Sequence, residues 1–275
     1  MKNKTYKITT VLLLTYTIVA GFLLPVPRLE VLNETIRALY FHVPMWFGMI
    51  LILTSACGYS IMQLAGTSTT SPTLLRNLNF FNIATLGIAA IMVLFKQKGF
   101  QAPLTIGGTS LFYYFTLRVF KNQNTDYLAE ATTKIGFILG LLGIVTGAVW
   151  AKFTWGEYWS SDPKQNSAAI CLLIYAAYII LRGSIKEDQQ RAKISAIYNI
   201  FAYSAMIPLL FILPRLTDSL HPGNGGNPAF GKYDLDNTMR TVFYPAIIGF
   251  SMLGIWVAEL MVRVKNLSIE KNKNN

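Results

Sequence analysis

The sequence predicts an all-α integral membrane protein, a polytopic helical bundle with about eight transmembrane helices. Its 275 residues are 53% hydrophobic and only 13% charged, and a soluble domain normally carries about twice that charge. Several charge-free stretches approach or exceed the roughly 20 residues that a helix needs to cross a bilayer. Because no polar region is long enough for a separate soluble domain, we predict a single membrane domain over residues 1–275.

Charged residues separate eight apolar intervals along the chain. These are Ile8–Pro27, Ala38–Leu75, Asn77–Phe95, Gly99–Leu117, Ile135–Ala151, Gln165–Leu181, Ile194–Pro214 and Thr241–Ala258. Pro25 and Pro27 end the first helix, since proline cannot continue one. Pro44 lies near the first turn of the second helix, where a missing N–H costs little. The fourth helix is the weakest, because Pro103 and Gly107 disfavour a regular helix.

The distribution of positive charge predicts the orientation of the chain. With the N-terminus inside, 15 of the 24 Lys and Arg residues lie on the inner side, which the positive-inside rule favours. The same orientation places His42, His221 and the stretch Trp155–Asp162 together on the outer side. The net charge of +11 is then explained by inner loops. We therefore expect the lipid bilayer, and not nucleic acid, as the partner of this charge.

The outer side holds the residues with the strongest indication of ligand binding. His42 and His221 are the only histidines of the chain. Trp155 and Trp159 are four residues apart, so their indoles share one face if the segment is helical. Neutral imidazole is a good axial ligand of haem iron, and two histidines beside a flat apolar platform predict a haem cradle. For either histidine alone, an interfacial side chain bonded to backbone or water is the alternative.

Three further residues of the stretch WGEYWSSD have candidate roles in this platform. Gly156 allows close approach of backbone or ligand, and Tyr158 adds another aromatic ring. Asp162 either contributes to the platform or caps the next helix, which would have Pro163 at its first position. The capping role is the alternative that any Asp-Pro pair before an apolar run suggests.

The remaining tryptophans, Trp46, Trp150 and Trp256, are most simply interpreted as core or aromatic-belt residues. A place in the aromatic belt is also the alternative for the aromatic residues of the stretch itself.

Haem carries two propionates, which need cations. Arginine is better than lysine for bidentate pairing with a carboxylate, and Arg37 and Arg215 are close in sequence to the two histidines. Each is a candidate propionate contact, with an ordinary surface charge as the alternative. The outer loop 215–240 contains the run HPGNGGNP, which is typical of turns and mobility. It is either a slack connector or a gate over the ligand.

The stretch resembles the tryptophan-rich signature of a haem-handling family, the cytochrome c maturation protein C (CcmC) type. That signature runs approximately WGxxWxWDxR, and Trp155, Gly156, Trp159 and Asp162 match it. Ser161 replaces the third tryptophan, which makes the platform smaller. The related CcsA synthase branch has the version WGxYWxWDPK, which three further residues match: Tyr158, Pro163 and Lys164.

Both histidines are similar to histidines of this family. One family histidine stands in an HVP context that opens the second helix, like His42 in FHVP. Another stands in an outer LH context before the last helix, like His221. Members usually have six spans, so the resemblance implies six family-like helices here plus an inserted pair near residues 77–117.

The resemblance implies a haem-binding protein of the bacterial inner membrane, with cytoplasmic N- and C-termini. His42 and His221 would be the axial iron ligands of haem b, held between a periplasmic tryptophan-rich segment, residues 152–166, and the periplasmic loop 215–240. The haem would pass to a periplasmic haem chaperone for attachment to apocytochrome c. Further partners would be ATP-binding cassette transporter subunits and a small single-span subunit. On this interpretation the chain has no catalytic residues and is not an enzyme.

Other functions remain open from the sequence. A cytochrome c synthase (haem lyase) component is one, although the synthase branch carries two further histidines within its helices and this chain has none left. A transporter subunit without haem is another. The predicted helices of this chain contain almost no ionisable residues, which argues against transport coupled to an ion that crosses the bilayer. Bis-histidine electron transfer is the third.

Overall fold

The computed structural model describes residues 4–28, 32–97, 99, 101–221 and 235–274, and these ranges contain eight long α-helices. They are α1 (Lys4–Leu23), α2 (His42–Leu64), α3 (Pro72–Leu94), α4 (Gln101–Val119), α5 (Thr125–Trp155), α6 (Pro163–Ser184), α7 (Asp188–Ile207) and α8 (Asn237–Asn274). Seven of them, all except α4, are long and apolar enough to cross a membrane. The predicted polytopic helical bundle is confirmed.

The helix ends follow local sequence signals. Helix α1 stops two residues before Pro25, as predicted from the proline. Helix α4 forms in spite of its unfavourable composition. Its Pro103 lies in the first turn, where a missing N–H costs little. Its Gly107 lies against α3, where a β-carbon would be 2.7 Å from the hydroxyl oxygen of Thr85. The glycine that weakens the helix therefore allows α3 and α4 to pack closely as a hairpin.

Helix α2 is the centre of the bundle and packs most extensively against α5. Met49 and Leu53 of α2 are fully buried. They lie against Gly140 and Gly136 of α5, where a β-carbon would be 2.6 Å from the nearest side-chain atom of each. Small residues on one helix let the two backbones approach, as is common in membrane bundles. The same face of α5 continues towards the end of the bundle at which α2 begins.

The opposite end of the bundle carries a dense set of ion pairs. Arg182 of α6 donates two hydrogen bonds of 2.7 Å to the Asp126 carboxylate and one of 3.0 Å to Glu130. The Arg182 side chain is only 4% exposed, so its ion pairs with Asp126 and Glu130 join α6 to α5 inside the protein. On α8, Glu259 forms the i,i+4 ion pair with Arg263 that their spacing predicts.

Candidate functional site

A cavity of about 220 Å³ opens among α2, α5, α6 and the segment that follows α7. His42 and His221 both line it, although 179 positions separate them in the sequence. Trp46, Trp159 and Lys164 also line this cavity, and the rest of its wall is mainly aliphatic. The two histidines of the chain and part of the tryptophan-rich stretch therefore meet at one end of the bundle.

His42 is the first residue of α2 and its imidazole lies directly on α5. A β-carbon at Gly147 would be 2.4 Å from Cε1 of the ring, so only glycine leaves room for it. The ring Nδ1 lies 3.3 Å from the Thr146 hydroxyl oxygen, and that hydroxyl donates its proton to the Leu142 carbonyl at 2.7 Å. Because its proton is used there, the Thr146 oxygen accepts from Nδ1–H. This tautomer leaves the lone pair of His42 on Nε2.

Trp46 lies one helical turn after His42 and continues the same wall. The two rings meet edge to face, with centroids 6.4 Å apart and an interplanar angle of 83°. Gly143 of α5 faces the Trp46 indole, and a β-carbon there would be 2.8 Å from it. Gly143 and Gly147 are spaced like Trp46 and His42, so each glycine receives one ring. From the sequence we interpreted Trp46 as a core or belt residue, and this spacing was the signal that we missed.

Asp162 determines how the chain enters α6. Its carboxylate accepts hydrogen bonds from the backbone N–H groups of Lys164, at 2.9 Å, and Gln165, at 3.4 Å. Pro163 follows as the first helical residue, as the Asp-Pro sequence predicts. The capping alternative for Asp162 is confirmed.

The same carboxylate also holds the second histidine. It accepts hydrogen bonds from the Ser219 hydroxyl at 2.8 Å, from the Leu220 N–H at 2.7 Å and from His221 Nδ1 at 2.9 Å. The Asp162 side chain is fully buried. Because Nδ1 donates to the carboxylate, the lone pair of His221 is on Nε2. A carboxylate that fixes the tautomer and orientation of an imidazole is the usual outer partner of a metal-ligating histidine.

Electrostatics around this pair favour a neutral imidazole. Burial lowers the pKa of His221 below its ordinary value, and the neighbouring Asp162 carboxylate offsets only part of this effect. For Asp162, burial raises the pKa. The hydrogen bond from Ser219 and, at the acidic pH where His221 is protonated, the positive charge of that ring outweigh it and hold the pKa of Asp162 below its usual value. At neutral pH the pair is therefore a carboxylate and an uncharged ring whose Nε2 can bind a metal.

The tryptophan-rich stretch is a turn and not a continuous helix. Gly156 has a φ of +85°, which ends α5 at Trp155, and no atom of the described residues lies within 4 Å of a β-carbon built there. The expectation that Trp155 and Trp159 share a helix face is therefore wrong, because the helix ends between them. Gly156 thus serves the turn, and no described part of the protein backbone approaches it closely; its role beside a ligand stays a prediction.

The aromatic residues of the stretch divide between two positions. Trp159, 43% exposed, lines the cavity. The Trp155 indole packs edge to face on the His221 ring, with centroids 4.6 Å apart. Trp150, which we interpreted as a core or belt residue, is 6.2 Å from the same imidazole. Tyr158 is 60% exposed and lies beneath the Lys152 ammonium, outside the cavity lining.

The predicted propionate contacts lie in different places. Arg37 donates hydrogen bonds to the carbonyls of Gly21 and Leu24, at 2.7 and 2.8 Å, and thus caps the end of α1 away from the cavity lining. Arg215 is exposed beside the cavity wall. Lys164, at the signature position usually occupied by arginine, lines the cavity itself. The HPGNGGNP run lies almost entirely within residues 222–234, outside the described residues, as does half of the predicted loop 215–240.

The fold and this cavity define a multi-pass helical membrane protein in which two distant histidines face one apolar site beside a tryptophan-rich turn. The chain belongs to the CcmC family, described as heme exporter protein C, whose sequence model matches residues 109–275. The matched region includes the tryptophan-rich turn and His221. His42, which completes the cavity, lies before it.

Curated relatives are cytochrome c biogenesis proteins. The chain is 36% identical over 102 residues to the cytochrome c biogenesis protein CcsA of Parasynechococcus marenigrum strain WH8102. The aligned region is 37% of this chain and 33% of the relative. It is 47% identical over 64 residues to the CcsA protein of Synechococcus sp. strain WH7803, covering 23% and 20%. The matched part is thus about a third or less of each relative's length. Family and relatives together place the chain in cytochrome c maturation, a haem-handling process.

Proposed function

We propose that the protein holds one haem b at the outer end of the bundle and passes it to a periplasmic haem chaperone for attachment to apocytochrome c. The observation that carries this proposal is the convergence of His42 and His221 on one mainly apolar cavity. Each ring uses Nδ1 for a hydrogen bond within the protein, to Thr146 or to Asp162. Both Nε2 atoms are therefore suited to the two axial positions that haem iron offers.

The size and lining of the cavity suit a ligand that is held for transfer. Its volume of about 220 Å³ is below the roughly 300–1,000 Å³ of cavities that enclose a whole small molecule. A site of this size holds part of a porphyrin and leaves an edge outside, next to the half-exposed Trp159. We assign the propionate contacts to Lys164, in the lining, and Arg215, beside it, ahead of Arg37, which caps α1.

The two ligands are supported in ways that favour stepwise release. His42 belongs to the central helix and packs on Gly147, so its ring has little freedom. His221 lies beyond the end of α7 and depends on hydrogen bonds to Asp162. Loss of those bonds frees His221 without disturbing a helix. We infer that His221 leaves the iron first during handover, while His42 and the apolar wall retain the haem.

Location and partners follow from charge and family. The Lys and Arg excess lies at the end opposite the histidines, which is the cytoplasmic end by the positive-inside rule. We therefore infer a bacterial inner-membrane protein with cytoplasmic N- and C-termini. The family resemblance adds ATP-binding cassette subunits and a small single-span subunit as partners.

A cytochrome c synthase component is the second candidate function. It is favoured by the relatives named CcsA and by Pro163 and Lys164, which follow the synthase version of the signature. The chain has only two histidines, and both are used at one cavity. A synthase that receives haem through additional membrane histidines would need them from another chain.

Co-expression distinguishes the two functions. The chain is produced with an apocytochrome c in a bacterial host whose own maturation genes have been deleted, and covalent haem is detected by peroxidase staining of denaturing gels. Delivery predicts no stained cytochrome with this chain alone, and stained cytochrome when the haem chaperone and the remaining maturation proteins are added. A double His42→Ala, His221→Ala variant should then give none. Stained cytochrome in cells that produce only this chain and the apocytochrome would contradict the delivery function and support the synthase.

A further inference from the structure

A second cavity, of about 430 Å³, lies at the end of the bundle opposite the histidines. It is formed by the turn between α4 and α5 together with the later part of α8. Among the residues that the structure describes, three cationic side chains line it, Arg118, Lys121 and Arg263, against a single carboxylate, Glu259. Its lining is therefore positively charged.

The one carboxylate of this cavity is already neutralised. Glu259 accepts a hydrogen bond from the Tyr6 hydroxyl and forms ion pairs with Lys7, at 2.9 Å, and with Arg263. Arg118 and Lys121 are exposed and make no side-chain hydrogen bond or ion pair within the described part of the chain. Their donors therefore remain available to an anion from outside the protein, and guanidinium and ammonium groups are the usual partners of phosphate.

The turn that carries these cations is held in place from both sides. Asn122 has a φ of +63°, and its N–H donates to the Thr69 hydroxyl oxygen at 3.1 Å, which ties the turn to the α2–α3 connection. The side-chain amide oxygen of Gln123, Oε1, accepts a hydrogen bond of 2.9 Å from the Asn266 side-chain amide of α8. The cavity walls are thus fixed before any ligand arrives, which lowers the ordering cost of binding.

The cavity also lies at the level where lipid head groups meet the protein. Helix α8 begins at Asn237 on the histidine side and needs about 20 residues to cross the hydrocarbon core. Glu259 and Arg263 are therefore near the far surface of the bilayer. Ile8 of α1, two residues after Tyr6, is 58% exposed and continues an apolar outer surface from this level. An acyl chain could lie along that surface while its head group enters the cavity.

We propose that this cavity binds the phosphate of an anionic phospholipid from the leaflet opposite the haem site. Arg118 and Lys121 supply the charge, and the tethered α4–α5 turn and α8 supply the shape. Basic pockets between membrane helices on the cytoplasmic side are suited to such head groups. This site is independent of the haem cavity, so either proposal can fail without the other.

The test measures lipid retention by native mass spectrometry of the purified full chain, titrated with phosphatidylglycerol or with phosphatidylcholine. The wild type should retain one phosphatidylglycerol in preference to phosphatidylcholine. An Arg118→Ala, Lys121→Ala variant should lose about tenfold or more in apparent affinity for it. The control, Lys186→Ala with Lys193→Ala, removes the same charge from the same end of the bundle but outside the cavity, and should stay within about threefold of wild type.

Other outcomes decide against the proposal. Equal losses in both double variants would mean general charge attraction and no site. Displacement of phosphatidylglycerol by millimolar inorganic phosphate or glycerol phosphate would mean a soluble phosphate compound as the ligand and would refute the lipid assignment. An Arg118→Lys, Lys121→Arg variant should bind like wild type. If it loses binding as the alanine pair does, the charge-based assignment is wrong.

Discussion

Gly147→Ala tests whether the close approach of α5 to α2 positions the His42 imidazole. The added β-carbon would be 2.4 Å from Cε1 and 3.0 Å from Nδ1 of that ring. Ordinary contacts begin near 3.4 Å, so the ring must move by about 1 Å or the helices must separate. Overpacking of this kind costs about 1–3 kcal/mol, and a 1 Å displacement at a reacting centre can cost about a hundredfold in activity. We expect a folded protein that has lost axial ligation by His42.

The assay is the absorption spectrum of haem-loaded protein purified in detergent, with haem content measured per chain. Gly147→Ala should show reduced haem content and a shift from a low-spin to a high-spin spectrum. The matched control is Gly87→Ala on α3, where no atom of the described part of the chain lies within 4 Å of the added carbon, and it should resemble wild type. An unchanged low-spin spectrum in Gly147→Ala at wild-type haem content would refute the argument that this glycine positions the ligand.

Three further substitutions separate the roles of neighbouring groups. Asp162→Asn removes the carboxylate that orients His221 and should weaken haem retention by about 10–100-fold, as losing an outer partner of a metal ligand does; a haem titration that matches wild type would contradict this role. Thr146→Val removes the acceptor for His42 Nδ1 and should weaken haem retention less, because helix packing still holds the His42 ring. A loss of haem retention equal to that of Asp162→Asn would contradict the claim that packing holds this ring. Arg182→Ala leaves Asp126 without its bidentate partner and should lower the free energy of unfolding by about 3–5 kcal/mol. The melting temperature should fall, while the protein that remains folded should keep its low-spin haem spectrum.

The helices were predictable because charge and proline mark their ends. All eight apolar intervals correspond to helices, and the Asp162–Pro163 start of α6 was readable from two adjacent residues. Charge counting also indicated that His42 and His221 belong to the same end of the bundle, and both line one cavity. The chain's few charged residues made these signals clear.

The arrangement within the site was less predictable, because it depends on contacts between helices. The indole platform assumed a helix through Trp155 and Trp159, whereas the positive φ of Gly156 ends α5 between them. Arg37 is close to His42 in sequence, but its side chain points to the end of α1. Proximity along the chain does not reveal such directions.

The site residues that sequence reasoning did not identify lie mainly on α5, the helix that packs against α2. Gly143 and Gly147 give room for Trp46 and His42, and a glycine on an apolar helix has no distinct signal until the facing helix is known. Trp150 was interpreted as a core or belt residue, and its contact with His221 likewise becomes visible only when the facing segment is known. Matching the four-residue spacing on both helices would have found the pair of contacts.

The central claim is that His42 and His221 bind the same iron, and electron paramagnetic resonance of ferric, haem-loaded protein tests it most directly. Wild type should give a single low-spin signal typical of two imidazole ligands. His42→Ala and His221→Ala should each convert it to a high-spin signal, and exogenous imidazole should restore the low-spin form in both. A low-spin signal that survives unchanged in either single variant would show that the two histidines do not share one iron.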